Sequence, residues 1–536
     1  MTTEMDWKKL VRPDDVVIVA SRRSPVGRMS GCLSGLSAHQ LGAQVIDAVL
    51  ATASRLSSDP SSMKEYIIHH LEEVIVGQVF TASTGQNPAR QAAILSGIPY
   101  SVPAWGVNML CGSGLKAVCL AYDRLRHVNP DGGWVIAGGQ ESMSQAPHAT
   151  AAGASVRRGG GPNTRTLPHL GSFHLIDTIM HDGLTDAYCG LLMGHTAEFI
   201  AKKSWESKAV DRGAWRDLIM KAVAVVQEKA LIHTEKKRQV RKRQATMRCT
   251  PSTSSSWCCS PCGRECVSQA GLVSHDRDHS GPLPKRRRVL QRRYGLTREQ
   301  QDSFALESQQ KYESAFSKGL FSSEIVPIIL PASMNCELGN TVNKDEHPRP
   351  GTSMESLARL KPAFSDSAEN GTVTAGNASG VNDGAAFLVL CRGDQLKKCD
   401  SLDTMCRFVR IVGWHQVGLE PQLMGLGPVS AILGLIAKLG WTLDSVDAFE
   451  INEAFAAQSL AVIHELGIPA SKVNRWGGGV ALGHPLGCTG ARILVTLISI
   501  ISHLGNPPPK KEPLRGIAAL CIGGGMGIAL AIESFK

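Results

Sequence analysis

No run of about 18 uninterrupted apolar residues, the length that a membrane-spanning helix requires, occurs in this chain. The stretch from Met1 to Asp15 mixes acidic and basic side chains without an apolar centre, so it does not read as a secretory signal, and it lacks the Arg-rich amphipathic pattern of a transit peptide. The terminal Ser534-Phe535-Lys536 is not a peroxisomal address. These absences predict a soluble protein of the cytoplasm, with mitochondrion and nucleus as the alternatives. The glycine-rich stretches lack the Lys-Ser/Thr that completes a phosphate-binding P-loop and the spacing of a dinucleotide fingerprint, so neither explains them. A disulfide framework is not indicated either. The chain has 15 cysteines in 536 residues, several inside apolar text (Cys119, Cys391, Cys406), which fits reduced thiols in a reducing compartment.

A chain of this length with 43% apolar and 19% charged residues buries a large core and divides into two or more domains. Its formal charge of +10 is local. Between Ser204 and Arg293 there are 20 Lys and Arg against 8 Asp and Glu, so this segment carries +12 and the remainder −2.

From Asp15 onward, short β-rich runs alternate with helical stretches, the rhythm of an α/β fold. Val16–Ala20, Val74–Val79, Ala104–Leu110 and Gly133–Gly138 read as strands; Ser37–Ala53, Asn87–Ser96 and Gly112–Leu125 read as helices. Cys111 therefore falls where a strand turns into a helix. The second half echoes this, with Val473-Asn474 before the glycines at 477–479, a turn over Leu482–Gly490 and an apolar helix over Ala491–Ile501, so an internal duplication is expected. Between the halves the pattern becomes irregular and rich in Gly and Pro. Thr297-Arg-Glu-Gln300 offers a capping box for a helix running to about Lys318.

Four motifs carry chemistry. Asn108-Met-Leu-Cys111-Gly-Ser-Gly114 places a thiol at a helix start, where unpaired amides and the helix dipole favour a thiolate and the glycines admit a substrate carbonyl. Taken alone, such a cysteine is more often a buried structural thiol. Gly477-Gly-Gly-Val-Ala-Leu-Gly-His484-Pro-Leu-Gly-Cys-Thr-Gly490 fixes a histidine among small residues. Cys521-Ile-Gly-Gly-Gly525-Met-Gly527 delivers a second cysteine from an apolar strand into glycines. Asn452-Glu-Ala-Phe-Ala456 follows the run Val446–Ile451, and an asparagine there can equally cap the next helix.

Together these motifs resemble the thiolase family, and further strings agree: Gly85-Gln-Asn-Pro88, Gly138-Gly-Gln-Glu-Ser-Met143, Asp182-Gly-Leu-Thr-Asp186, Thr372–Gly384 and Gln416-Val-Gly-Leu-Glu-Pro421. The last is closer to the biosynthetic acetoacetyl-CoA group than to the long-chain degradative enzymes. The resemblance implies a five-layer α-β-α-β-α fold with two related halves, residues 1–140 with 380–403 and residues 404–536, and a loop domain over 141–379. It implies acetyl-CoA C-acetyltransferase activity: condensation of two acetyl-CoA to acetoacetyl-CoA and CoA through an acetyl-cysteine, with no cofactor. By the same resemblance Cys111 is the nucleophile, His484 activates it, and Cys521 is the acid/base. The amides of Cys111 and Gly523 form one oxyanion site, while His484 and a water held by Asn452 form the other. Met193, Ser379, Met424 and Phe455 fall at pantetheine contacts of coenzyme A. Leu192 departs from the His-Met-Gly of many relatives. A homodimer or homotetramer is implied. A 3-ketoacyl-CoA thiolase of broader chain length is the alternative within the family.

The basic segment 204–293 interrupts this text. Cys259-Ser-Pro-Cys262, with His275 and His279 after it, has zinc-finger spacing and would hold a structural zinc, although Cys266 replaces the usual packed aromatic. The preceding basic run resembles the tail of retrotransposon reverse transcriptases. An insertion of about ninety residues is inferred, whose basic text with few aromatics predicts poor ordering. It is a transposon fragment without function, a tolerated loop, or an acquired nucleic-acid module. The last would make the chain a nucleic-acid binder on a thiolase scaffold, with Lys285–Arg288 as a nuclear signal.

Overall fold

The computed structural model describes residues 11–128, 133–150, 175–201, 294–332, 340–364, 371–397, 408–505 and 513–535, and two short strands within 257–266. The chain divides into two compact units, Met1–Lys202 with Gly295–Lys536, and Lys203–Tyr294. In the smaller unit Trp257–Cys258 pairs antiparallel with Glu265–Cys266. Cys259, Cys262, His275, His279 and the basic cluster lie outside the described residues.

The larger unit is built on nine strands: β1 (Val16–Arg23), β2 (Leu71–Gly77), β3 (Ala104–Val107), β4 (Trp134–Ser142), β5 (Asn382–Arg392), β6 (Val409–Gly418), β7 (Ala448–Ile451), β8 (Arg515–Ile522) and β9 (Met526–Ser534). They form one sheet in the order β7-β8-β9-β6-β1-β5-β4-β2-β3, with the two-residue strand Gly27–Arg28 added on β5. Its principal helices are α1 (Ala38–Ala53), α2 (Pro88–Leu95), α3 (Ser113–Asp123), α4 (Met193–Ala201), α5 (Arg298–Ser317), α6 (Gly427–Leu439), α7 (Ala456–Leu466) and α8 (Leu486–Leu504). The capping box forms as expected: Thr297 Oγ1 accepts from Gln300 N at 3.1 Å, and Gln300 Oε1 accepts from Thr297 N at 2.8 Å.

Period-two patterning sorts the strand side chains into layers. Ile75, Val135, Ala137 and Leu388 from one part of the sheet, and Ala518, Leu520, Ile528 and Leu530 from the other, pack on α3 and α8. The opposite faces carry Val74, Val76, Ile136 and Phe387 against α1, and Phe449, Ile517, Ala519 and Ala529 against α6 and α7. Helix, sheet, helix, sheet, helix is the expected five-layer order. The duplication is visible in the pairing as well. β2 runs parallel to β3 and β4, while β7 runs parallel to β8 and bridges Val473 in parallel. Each part then sends one central helix, α3 or α8, through the middle.

Two details differ from the sequence reading. The halves are not separate sheets: Val16, Val17 and Ile18 of β1 pair antiparallel with Ile411, Arg410 and Val409 of β6, which closes an edge that would otherwise be unpaired. Helix α8 begins at Leu486, inside the stretch read as a turn. Gly487 and Gly490 look like turn residues in sequence, but here they serve close packing. A Cβ on Gly490 would lie 2.3 Å from Leu115 N, and one on Gly114 would lie 2.7 Å from Gly487 O. Gly490→Ala is therefore expected to cost about 1–3 kcal/mol through overpacking; an unchanged midpoint in urea unfolding would show that the helices separate freely.

By length and composition α8 is apolar enough to cross a membrane, yet 83% of that window is buried in the core of this fold. Cys111, Cys119, Cys189, Cys391, Cys488 and Cys521 form no disulfide, whereas Cys32 is disulfide-bonded, a departure from the all-reduced reading.

Candidate active site

Strand β3 ends at Val107 and the chain makes a tight turn before α3. Asn108 Oδ1 accepts from Leu110 N at 3.0 Å, and Ser113 Oγ accepts from Met109 N at 2.8 Å while donating to Leu110 O at 2.6 Å. Leu110 sits at φ 50°, a left-handed conformation that is strained for a leucine and is held by these bonds. The turn presents Cys111, half-buried, just before the helix. Two backbone amides, its own and that of Gly523, face the sulfur.

The helix start does not produce a thiolate. Burial outweighs those amides and pushes the Cys111 thiol up to about 11, with the nearby Glu141 charge adding to the rise. Alkylation of Cys111 by iodoacetamide is then expected to rise about tenfold per pH unit through neutrality, and to level off only near the top of the alkaline range. A plateau below pH 8 would instead mark a preformed thiolate.

His484 is brought in at the start of α8. Gly483, at φ 98°, makes the turn against Asn382, whose Oδ1 accepts from His484 N at 3.0 Å. Thr489 Oγ1 donates to Pro485 O at 2.8 Å, so toward His484 Nδ1, at 2.7 Å, it can only accept. That assigns the proton to Nδ1 and leaves Nε2 bare. Asn452 Nδ2 lies 3.3 Å from Nε2 and donates to it. Burial pushes His484 down to about 3, with Arg492 contributing in the same direction, so the imidazole is a neutral base across the physiological range. Asn452 itself is buried at the end of β7, its N–H donating to Ala519 O at 3.0 Å.

Cys521 is the last residue but one of β8, two residues beyond Ala519, and the glycine turn that follows meets the Cys111 turn directly. A Cβ on Gly112 would lie 2.5 Å from Ile522 Cδ1, and one on Gly523 would lie 3.1 Å from Leu110 Cδ1. Burial raises the Cys521 thiol strongly, and charge on Cys111 raises it further. Cys521 shares one apolar cluster with Met193, Met424 and Phe455, flanked by Phe364. Ser379 adjoins it, with both its N–H and its hydroxyl donating to Ala454 O at 3.0 Å. Met193, Met424 and Phe455 thus cluster with Cys521, the Cys111 turn adjoins the turn that follows Cys521, and Asn452 links His484 to β8. Leu192 is half-buried and bridged to Thr185.

Three contributors were not assigned beforehand. Thr489 and Glu141 stand inside motifs given above, Glu141 between Gln140 and Ser142 at the end of β4, and Phe364 follows a Lys-Pro-Ala string with no periodic signal. Among the described residues no cluster of three or more His, Cys, Asp or Glu is arranged to hold a metal ion. A cavity of about 590 Å³ between α5 and α7 reaches Glu453 but is lined by none of Cys111, His484 or Cys521; it is a separate feature.

The two cysteine-bearing turns meet each other, and the histidine turn adjoins the first of them through Leu486. The chain matches the thiolase N-terminal domain over residues 16–214 and 265–394 and the thiolase C-terminal domain over 405–534. It is 38% identical over 521 residues to the cytosolic acetyl-CoA acetyltransferase of Mus musculus, covering 97% of this chain and 98% of that one. It is 37% identical over 520 residues to the acetyl-CoA acetyltransferase of Allochromatium vinosum, covering 97% and 99%. The crystal structure of the Bacillus anthracis acetyl-CoA acetyltransferase superposes with a TM-score of 0.69 at 31% identity, covering 97% of this chain and 98% of that one. A thiolase from Ascaris suum in complex with coenzyme A gives 0.66 at 29%, covering 97% and 100%. With both domains matched across nearly the whole length, and the gap between the matched N-terminal segments falling inside the basic stretch, this chain belongs to the thiolase family.

Proposed function

We propose that the protein is an acetyl-CoA C-acetyltransferase, with Cys111 as nucleophile, His484 as its base, Cys521 as the proton shuttle and Asn452 as an oxyanion partner. The observation that carries this reading is the meeting of the two cysteine turns next to the turn that holds a neutral His484, whose unprotonated Nε2 is set by the Thr489 contact at Nδ1. In condensation, Cys111 Sγ attacks the carbonyl of one acetyl-CoA while its proton passes to His484, and Cys521 gives its own proton to the departing CoA sulfur. The Cys521 thiolate so formed removes a proton from the methyl of a second acetyl-CoA, and the resulting carbanion displaces Cys111 from its acetyl group, giving acetoacetyl-CoA and a Cys111 thiolate that takes its proton back from His484. A thiolate in so dry a site is a stronger base than one in water, which suits a weak carbon acid. On this reading the amides of Cys111 and Gly523, which face the sulfur, serve the thioester oxygen that gains charge. CoA occupies the cluster of Met193, Met424 and Phe455 beside Ser379, and no metal or redox cofactor enters any step.

The names borne by the relatives favour acetoacetyl-CoA over a broad chain-length range. The cytosolic relative in Mus musculus supports a cytoplasmic place for this chain, and the edge of β3, with Tyr100 80% and Leu95 61% exposed nearby, supports a homo-oligomer. Thiolysis of acetoacetyl-CoA by the purified protein, yielding two acetyl-CoA per substrate, tests the reading; turnover confined to long 3-ketoacyl chains would replace it.

Residues 204–293 are, on this reading, an insertion dispensable for catalysis, because they join two helices of the loop region and contain none of the site residues. Loop closure costs grow only slowly with length, so a long insertion is tolerated when its ends lie close. Deleting them is expected to leave thiolysis unchanged. Removing +12 should also eliminate salt-sensitive retention on heparin. A deleted form that fails to fold while the full chain is active would make the segment part of the enzyme. The same pair of proteins, analysed for zinc, tests the Cys259, Cys262, His275, His279 spacing.

A further inference from the structure

Glu141 is fully buried near the end of β4, and among the described residues no cation pairs with it. All its recorded hydrogen bonds come from backbone amides of two different segments. Oε2 accepts from Val79 N at 3.0 Å and from Gly487 N at 2.8 Å, and Oε1 accepts from Phe80 N at 3.2 Å. Each amide leads to one side of the site. Val79 O accepts from Asn108 Nδ2 at 3.3 Å, and Asn108 holds Leu110, the residue before Cys111. Gly487 lies three residues after His484, and a Cβ there would sit 2.7 Å from Gln78 Cα and 2.8 Å from Glu141 Oε2. Leu486 and Cys111 share an apolar contact cluster with Val79 and Phe80.

We propose that Glu141 is a positioning residue for the reaction, a single carboxylate that holds the His484 turn in register with the Cys111 turn. The inference rests on the catalytic roles proposed above. A neutral side chain of the same shape cannot replace it, because an amide presents only one acceptor oxygen and points donors at an amide that is itself a donor. The charge acts on the nucleophile as well. Burial pushes Glu141 up to about 7, with Asp383 adding to the rise, and its negative form raises the thiols of Cys111 and, from α8, Cys488. Asp383 is itself occupied by Ser144, and the 78–80 turn brings no ionisable group.

Two effects of opposite sign follow. Glu141→Gln should slow acetylation of Cys111 by acetyl-CoA by about 10- to 100-fold with KM little changed, because a displaced base is costly and the coenzyme cluster is elsewhere. The same change should shift the pH midpoint for iodoacetamide alkylation of Cys111 downward, because a negative charge has gone. Glu141→Asp keeps the charge but withdraws the carboxylate by one methylene, so it should slow acetylation and leave the alkylation midpoint where it is. The measurement is single-turnover acetylation followed by mass spectrometry, with alkylation profiles for the wild type and both variants. Acetylation at wild-type rate in either folded variant, or an alkylation midpoint that does not move in Glu141→Gln, overturns the proposal. If Glu141→Gln does not fold, the Glu141→Asp pair of readings decides alone. A wild-type protein that is never acetylated at Cys111 overturns the underlying catalytic reading instead, and this inference with it.

Discussion

Incubated with acetyl-CoA, the Cys111→Ser variant is expected to yield no covalent acetyl-enzyme, whereas Cys521→Ser should still be acetylated at Cys111 and then fail to condense. The two thiols differ in surroundings. Cys111 is half-buried on a strained turn beneath two converging amides, next to Leu486 of the histidine turn. Cys521 is buried at a strand end, in the cluster that is expected to receive the second acetyl-CoA. A serine at 111 keeps the geometry but is far less acidic and a poorer leaving group, so turnover should fall by roughly 10⁴-fold or more. A serine at 521 cannot act as the acid/base at an accessible pKa, so condensation should fall by about 10²–10⁴-fold while the acylation half-reaction persists. Mass spectrometry of the intact protein, together with condensation rates, distinguishes the two. Equal labelling and equal turnover in both variants would remove the assignment of roles.

The second large effect belongs to the His484–Asn452 pair. His484→Ala removes the base that takes the Cys111 proton, and with it one donor to the developing oxyanion; losses of about 10³–10⁴-fold in kcat are expected. Asn452→Ala should cost about 10²–10³-fold, the range for a single oxyanion donor. Because Asn452 Nδ2 reaches the site through His484 Nε2 at 3.3 Å, the two losses should not add. The double variant should be little slower than His484→Ala alone. Fully multiplicative losses would mean that the two side chains act separately, and the shared oxyanion site would have to be abandoned.

What the sequence made legible follows from distance along the chain. The strand–turn–helix around Cys111 is encoded within about twenty residues, and its boundaries were read to within three. The capping box at Thr297 is a four-residue signal and formed as written. The start of α8 was missed because glycine has the same letter whether it opens a turn or lets two helices touch, and only the touching helix, α3, tells these apart. Arg23 was equally illegible. It is fully buried, with Glu324 at 2.6 Å and Asp345 at 2.7 Å, partners 301 and 322 residues away that no local pattern announces. The direction of the Cys111 shift was misjudged for a related reason: the helix start is visible in the sequence, but the burial that outweighs it is a property of the assembled fold. The β1–β6 seam likewise depends on which edges remain free after folding.

The crossing of α3 and α8 has a mechanical consequence. The two helices touch backbone to backbone at Gly114, Gly487 and Gly490, all within their first five residues, and Cys111 and His484 stand at those same ends. The pair behaves like shears whose pivot is at the working tips. Because the backbones meet beside Cys111 and His484, a side chain added at any of the three glycines would part the helices at the end that carries the site, whereas an apolar exchange farther along either helix acts on it only from a distance.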